Sequence, residues 1–530
     1  MQAAYWSGRL HKGHLGNVSA HLYVEFSGYN IDISRLNSAL IRIFEHHDML
    51  RLRISASGEE KFCDKKMPNL LESEDLSKKD NFSIKKSILS QRENWTNRIM
   101  NLAEHGPLAM GITLLPDGEF RLHVDTDMIA IDPPSFVLLM EELARVYEQP
   151  EAVLPEKQSD YLLWQSTRQQ DQQLLEQKRR DRNWWQNRLP AVLPEPSLPY
   201  LEQSGTNPVR SLRLHEGLSR EQRAGLEQIA RQCRVTLSTL MLGAFALVLG
   251  RHLKEQRFRL NVPMFWRSPH VPDVDRLIGE FANVLIANID VSRDMSLREF
   301  VQDLGQQMID LLDHSSYPGV NVMRDLSRHK GEMQFAPVVF TAGVDVPGKT
   351  LFSERVKRVF GEMSWAISQG PQVALDAQVA AVDDGILVNW DIRLDALPED
   401  WIRRVFDDYV DCLRKLAVND DLLGLSLTEL TGSSDHDSST LDMVLVLLKR
   451  LTGQQDIEKS QAFAENGLNA AQLEQLRLFL NNTFRSLDLK PGDFQNNNTP
   501  LLLARRIEKQ TEGHSETIAR VFLETLVAAS

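Results

Sequence analysis

A single acid set among amides stands out in Gln372-Val373-Ala374-Leu375-Asp376-Ala377-Gln378-Val379. In a strand, Val373, Leu375, Ala377 and Val379 share one face, and Gln372, Asp376 and Gln378 the other. If the polar face lines a cleft, Asp376 can exchange protons while the glutamines orient a substrate; if it meets water, the pattern is ordinary half-buried alternation. A second constellation is Asp127, Asp132 and Ser135, two carboxylates with a hydroxyl close by in sequence. This is either an acid/base pair or a charged turn, because aspartates favour turns and helix caps for backbone reasons. The chain has no phosphate-binding GxxxxGK(S/T) loop, no HExxH helix and no GxSxG elbow, which argues against the common hydrolase and nucleotidyl-transfer chemistries.

Both constellations need α/β layers to position them. Residues 18–28 are strand-like, and Ile33, Leu36, Leu40, Ile43 and His47 then recur at helical spacing. Phe120, Leu122 and Val124 alternate with Arg121, His123 and Asp125, which predicts a half-buried strand. Phe136, Leu139, Met140, Leu143 and Tyr147 mark the next helix. Residues 127–134 are then the turn between them, stiffened by Pro133 and Pro134, with Ser135 placed to cap the helix. Residues 54–100 are polar and weakly periodic, a surface region, and residues 158–189 read as one long solvated helix connecting two lobes.

Beyond Pro190 the pattern predicts a helix over 236–253, strands at 258–262 and 281–291, a helix over 296–313 and a strand at 337–342. A hairpin of 371–382 and 386–392 turns on Asp383-Asp384-Gly385. The expected organisation is two similar α/β lobes, residues 1–180 and 181–418, a linker at 419–440, and a small helical domain at 441–530.

At 530 residues, with 42% hydrophobic and 25% charged positions, the chain has ample material for several cores and is neither disordered nor collagenous in type. Its formal net charge of -13 argues against bulk attraction to nucleic acid or anionic lipid. Cys63, Cys233 and Cys412 lie far apart without a CxxC pair, so neither a disulfide framework nor a cysteine-rich zinc site is expected, and no metal is assigned. The first residues lack the pattern of a signal peptide, and no stretch reaches the ~20 apolar residues of a membrane helix. The expectation is a soluble cytoplasmic protein with no nucleic-acid partner and no membrane insertion.

Several segments acquire meaning in order. Gln2-Ala-Ala-Tyr-Trp-Ser-Gly-Arg9, His47-Asp-Met-Leu-Arg51, Asp127-Met-Ile-Ala-Ile-Asp132-Pro-Pro-Ser135, Arg257-Phe-Arg-Leu-Asn-Val-Pro-Met-Phe265 and Leu277-Ile-Gly-Glu-Phe-Ala-Asn283 form the first part of the series. Gly319-Val-Asn-Val-Met-Arg-Asp-Leu326, Pro337-Val-Val-Phe-Thr341 and Ile367-Ser-Gln-Gly-Pro-Gln-Val-Ala-Leu-Asp-Ala-Gln-Val379 complete it. Together they resemble the collinear motifs of heterocyclization domains of nonribosomal peptide synthetases, over residues 2 to about 415. The related condensation domains carry HHxxxDG in the strand-to-helix turn, whereas heterocyclization domains carry DxxxxD followed by a serine, as Asp127, Asp132 and Ser135 do here.

The resemblance implies a V-shaped pseudo-dimer of chloramphenicol-acetyltransferase-like lobes around an active-site tunnel. It also implies a reaction: a carrier-bound acyl thioester is attacked by the amine of carrier-bound Cys, Ser or Thr, and the resulting amide is cyclodehydrated to a thiazoline or oxazoline, as in siderophore biosynthesis. Position by position, it assigns Thr341 and Asp376 to cyclodehydration, Asn283 to condensation, and Gln372 and Gln369 to substrate positioning. Asp127, Asp132 and Ser135 are expected to hold the tunnel through internal contacts. No bound cofactor is implied; substrates would arrive on phosphopantetheine arms of peptidyl or aryl carrier proteins acting in trans.

Two departures accompany the match. Gly370 stands where the family usually has threonine, and Met1 directly precedes the first motif, so that the domain begins late or the chain is a fragment or mis-started. Further on, the segment from Phe463 to Leu473 resembles a carrier's Phe-x-x-x-Gly-x-Asp-Ser-Leu, with Asn469 for the aspartate and Ala470 for the serine that takes phosphopantetheine. That region is then a degenerate, docking-only carrier, or else a generic helical tail. Besides full heterocyclization, the resemblance leaves open condensation alone, cyclization alone, or a non-catalytic scaffold that binds carriers.

Overall fold

Two sheets organise the part of the chain that holds both constellations. Strands β1 (His21–Tyr29), β2 (Leu52–Ile54), β3 (Glu60–Phe62), β4 (Leu71–Asp75), β5 (Leu108–Leu114) and β6 (Glu119–Asp127) belong to the first half. Strands β7 (Ser211–Leu218), β8 (Arg257–Phe265), β9 (Ala282–Asp290), β10 (Val338–Gly343), β11 (Glu362–Gln369), β12 (Leu375–Val382) and β13 (Gly385–Arg393) belong to the second. The sheets run β11-β1-β6-β5-β4 and β7-β13-β12-β10-β8-β9, with β2 and β3 as a separate pair. The computed structural model describes residues 1–10, 15, 16, 18–63, 71–156, 158–201, 209–345, 351–431, 439–454, 457, 458, 461–484, 487–496, 499–511, 515, 518, 519 and 521–523.

These residues fall into two compact units, 1–431 and 432–530. Within the first, each sheet closes its own core. The helix Leu237–Arg251 is apolar all round and almost wholly buried, as a helix inside a core must be, and its Phe245 meets Phe340, Trp390 and Tyr409. Around the first sheet, Phe26, Phe120, Phe136 and Phe360 are buried with the helices Ile33–His46 and Pro133–Glu148.

The lobes are not contiguous in sequence. Strand β11, from the second half, pairs antiparallel with β1, placing His21 opposite Gln369. The preceding helix Glu354–Phe360 carries Val356 and Phe360 into the first lobe's core, joined there by Phe352, Leu277 and Phe281. The chain thus returns from the second sheet to complete the first, then goes back to build the β12–β13 hairpin.

Several local expectations are corrected. The helix after β6 begins at Pro133, and its N-cap is Asp132, not Ser135; the two prolines occupy the first turn, where a missing N–H costs nothing. Residues 158–189 form two helices, Tyr161–Gln170 and Gln172–Gln186, because Asp171 ends one and accepts backbone N–H bonds at the start of the next. Within 54–100, β4 and the helix Asn81–Thr96 are ordered elements, and β4 edges the first sheet by parallel pairing with β5. The region 419–431 holds the short helices Asp421–Gly424 and Leu427–Thr431, whose Leu423, Leu427 and Leu430 enter the second core. Residues 432–438 of the expected linker lie outside the described residues.

The second unit is helical: Ser439–Thr452, Ala470–Thr483, Asp493–Asn496 and Pro500–Gln510. Its core gathers Leu441, Val444, Leu448, Leu476, Leu480, Phe484, Leu503 and Ile507. Among the described residues, no single helix is long and apolar enough to cross a membrane.

Candidate active site

A cavity of ≈ 500 Å³ lies within the first unit, walled by both sheets and by the N-terminal helix. Tyr5, Leu22 and Phe136 line it from the first lobe, and Asn283, Met323, Thr341 and Asp376 from the second. Its walls are largely apolar, so the few polar groups that reach it are set against a low-dielectric background.

Asp376 is brought here by strand alternation: Leu375 and Ala377 are buried on the core side of β12, and Asp376 faces the cavity. Thr341 on β10 donates its hydroxyl to Asp376 Oδ1 at 3.2 Å. Gln378, two residues along, donates Nε2 to Asp376 Oδ2 at 2.8 Å. Burial pushes the Asp376 carboxyl up to about 7, the nearby Asp391 carboxylate adds to the rise, and the hydrogen bonds from Gln378 and Thr341 oppose it, as does Arg213. A group that is half protonated near neutrality can both accept and return a proton.

Behind Asp376 lies a polar ladder that sequence reading missed. Register sets Asp376 opposite Asp391 and Gln378 opposite Asn389 across the hairpin, and Asp391 opposite Arg213 on β7. Arg213 grips Asp391 with two bonds of 2.7 Å, from Nε to Oδ1 and from Nη2 to Oδ2. Ser368 N donates to Asp391 Oδ2 at 2.7 Å, which ties β11 of the first sheet to the second. The signal that finds Asp391 is the turn itself: a two-residue Asp383-Asp384 loop pairs Val382 with Gly385 and, counting outward, Asp376 with Asp391.

The other predicted residues occupy distinct places. Asp127, Asp132 and Ser135 are buried, and none of them lines the cavity. Asp127 Oδ2 accepts from Arg9 Nη1 at 2.7 Å, and Oδ1 accepts from Ile129 N at 3.1 Å. Arg9 lies in the last turn of the helix Gln2–Leu10, whose Tyr5 lines the cavity. Gly8 of that helix lies against the Gly370-Pro371 segment so closely that a Cβ would stand 2.4 Å from Pro371 Cβ. Asp132 accepts from Ser135 N at 2.8 Å and from Phe281 N at 3.1 Å, with Arg267 3.7 Å away. Ser135 Oγ donates to Gly279 O at 2.9 Å and accepts from Gly279 N at 3.1 Å. One aspartate therefore holds the N-terminal helix and the other the approach to β9.

Asn283, at the start of β9, lines the cavity with its amide already engaged: Nδ2 donates to Ser315 O at 2.9 Å, and Oδ1 accepts from Gly319 N at 3.0 Å. Gly319 has no alternative there, since a Cβ would meet Val284 O at 2.0 Å. Gln372 lines the cavity with left-handed backbone, φ 66°, which is uncommon for a residue with a side chain. Its N–H donates to Leu15 O at 2.8 Å. Gln369 lies behind the cavity wall, where His21 Nε2 is 3.2 Å from its Oε1 and its Nε2 donates to Ser211. Gly370 lines the cavity; a Cβ there would sit 3.3 Å from Val373 Cγ2. In the second unit, Ala470 is the exposed first residue of its helix, directly after the N-cap Asn469.

Among the described residues, His46, His47 and Glu142 bring three potential ligand atoms within 4.8 Å of one another. The His47–Glu142 hydrogen bond of 2.6 Å lies inside that group, and none of the three lines the cavity.

Comparison with known proteins gives concordant results. The chain is 37% identical over 426 residues to the phenyloxazoline synthase MbtB of Mycolicibacterium paratuberculosis, covering 79% of this chain and 36% of that protein. It is 32% identical over 422 residues to the pyochelin synthetase PchE of Pseudomonas aeruginosa, covering 78% of this chain and 29% of that protein. It thus spans about a third of the length of the curated relatives it matches. The cyclization-docking bidomain of the EpoB nonribosomal peptide synthetase from Sorangium cellulosum has the same fold, with a TM-score of 0.69, 26% identity, and coverage of 78% of this chain and 84% of that one. The two-lobed α/β architecture expected from the motifs is that fold. The condensation-domain family model matches residues 2–421, and the chain belongs to the condensation-domain family.

Proposed function

We propose that residues 1–431 form a heterocyclization enzyme of a nonribosomal peptide synthetase, acting on two carrier-tethered substrates. The observation that carries the reading is Asp376, poised near neutrality at a cavity wall and hydrogen-bonded by Thr341. In the first step the amine of the acceptor Cys, Ser or Thr attacks the acyl thioester; an amide forms and the donor carrier's thiol leaves. In the second, ionised Asp376 takes the proton of the acceptor's thiol or hydroxyl as that group adds to the amide carbonyl. Protonated Asp376 then returns the proton to the former carbonyl oxygen, giving a hydroxyl on the closed ring; that hydroxyl leaves together with the proton of the former amide nitrogen as water, and the C=N bond of the thiazoline or oxazoline forms. Thr341 holds the carboxyl in place through both halves of this exchange.

The same reading gives Asn283 and Gln372 positioning roles along the cavity, with Gln369 supporting the wall behind. Asp127, Asp132 and Ser135 act by holding the helix Gln2–Leu10 and the approach to β9. The name of the phenyloxazoline synthase relative favours an aryl acyl donor and an oxazoline product, which suits the aromatic side chains of Phe136, Phe265 and Phe352 in the wall. The setting is siderophore-type biosynthesis in the cytoplasm, with the carriers supplied in trans and no cofactor of the protein's own. Residues 441–530 are a carrier-like domain that docks without being loaded, because Ala470 offers no hydroxyl for a phosphodiester.

Reconstitution with an acyl-loaded and an acceptor-loaded carrier, followed by intact-protein mass spectrometry, tests the proposal. Amide formation and then loss of one water is the expected result. Amide without water loss leaves a condensation enzyme, and no acyl transfer leaves a carrier-binding scaffold. Incubation with a phosphopantetheinyl transferase should add no mass to this chain; modification would overturn the docking-only reading of its second unit.

A further inference from the structure

The ladder behind Asp376 carries more order than a structural sheet needs. Asn389 Nδ2 donates to Gln378 Oε1 at 2.7 Å, which fixes the amide of Gln378 so that its nitrogen faces the two carboxylates. That nitrogen donates to Asp376 Oδ2 at 2.8 Å and to Asp391 Oδ2 at 2.9 Å. Asp391 accepts four bonds in all, two from Arg213 and one each from Gln378 and Ser368, and none of its partners can accept a proton from it. The charged and titratable groups around Asp376 include Asp391 on β13, Arg213 on β7 and Tyr5 on the helix Gln2–Leu10, and Arg393 at the end of β13 lines a small cavity together with Asp376 and Asp391.

We propose that Arg213, Asp391 and Gln378 are positioning residues for Asp376, a charge-balanced brace that holds its carboxyl in one orientation and sets the pH at which it exchanges its proton. The inference rests on the assignment of proton transfer to Asp376 made above. Arg213 and Asp391 act in opposite directions: the anion favours the protonated acid and the cation favours the carboxylate. Gln378 transmits the orientation, since one NH2 group joins both acids. Because the Arg213–Asp391 pair is neutral as a unit, removing both charges disturbs Asp376 far less than removing either one.

Three variants test this: Asp391→Asn, Arg213→Gln and the double variant. The inflection of the cyclodehydration pH profile should fall by about one pH unit in Asp391→Asn, rise by about one in Arg213→Gln, and return close to the wild-type position in the double variant. The amide-forming step should keep its pH profile in all three. A purely structural role predicts lower rates with an unmoved inflection. An NMR titration of isotope-enriched aspartate carboxyls, with the Asp376 signal assigned by its loss in Asp376→Asn, reads the same shifts without turnover. If no carrier substrate reacts, the heterocyclization reading fails while the titration still decides the brace. Opposite shifts in the single variants support the brace; shifts of one sign, or none, in folded variants overturn it. If one single variant does not fold, the other still gives a sign, and the double variant gives the return.

Discussion

Asp376 owes its chemistry to where alternation puts it: a carboxyl facing an apolar cavity, with the Asp391 side chain beside it. Replacing it with asparagine keeps the shape and removes the exchangeable proton. We expect Asp376→Asn to retain amide formation and to lose cyclodehydration by ~10²–10⁴-fold, measured as the ratio of dehydrated to linear product. The wild-type reaction should rise with pH through about 7 and then level off, since the base form that starts the step is lost as pH falls below about 7 and the acid form is regenerated within each turnover. Stability follows the same carboxyl. Its folded-state pKa lies above the unfolded value, so the stability it contributes is full at acid pH, below the unfolded value, and is lost as pH rises through about 7. Asp376→Asn should therefore melt higher than wild type above pH 7, with the difference closing towards acid pH, as calorimetry across pH would record. Thr341→Val removes one hydrogen bond to the ionised form and should slow cyclodehydration by roughly ten- to a hundredfold while moving the profile upward.

At the level of helices and strands, the DxxxxD pair works at a distance from the cavity. Asp127→Asn would leave the Arg9 guanidinium, which is largely buried, without its counter-charge, at a cost of ~3–5 kcal/mol. The helix Gln2–Leu10 should loosen, and condensation and cyclodehydration should fall together; this contrasts with Asp376→Asn, which separates them. Hydrogen exchange over residues 2–10 reads the loosening directly. What the sequence made legible here followed from period and turn chemistry. The alternation of residues 373–379 placed Asp376 on the open face, and the paired aspartates with Gly385 located the hairpin. Burial cannot be read in the same way: whether that face met a cavity or water depended on the opposing lobe. Asp132 as N-cap, in place of Ser135, turned on whether the prolines stood inside the first turn or before it. The break at Asp171 was masked because the polar residues on either side continue a helical composition. Arg213, far from Asp391 in sequence, had no local mark at all and becomes visible only once β7 is known to pair with β13.

For the molecule as a whole, the two compact units close separate cores, Leu441 to Ile507 in one and the two sheets in the other. A protein ending at Thr431 should keep the cavity and the melting transition of the larger unit; calorimetry and the carrier assay together check this. Motif order gave the two-lobed architecture, because eight segments in sequence constrain topology more tightly than any one of them. It did not reveal that the lobes share chain. Strand β11 and the helix Glu354–Phe360 belong to the first sheet by packing and to the second half by position. This matters for recombination between relatives: a graft cut near residue 180 would give the incoming first lobe a foreign edge strand and a foreign Phe352, Val356 and Phe360. Exchange of a functional half requires three crossover points, so that residues 351–369 travel with the lobe they complete.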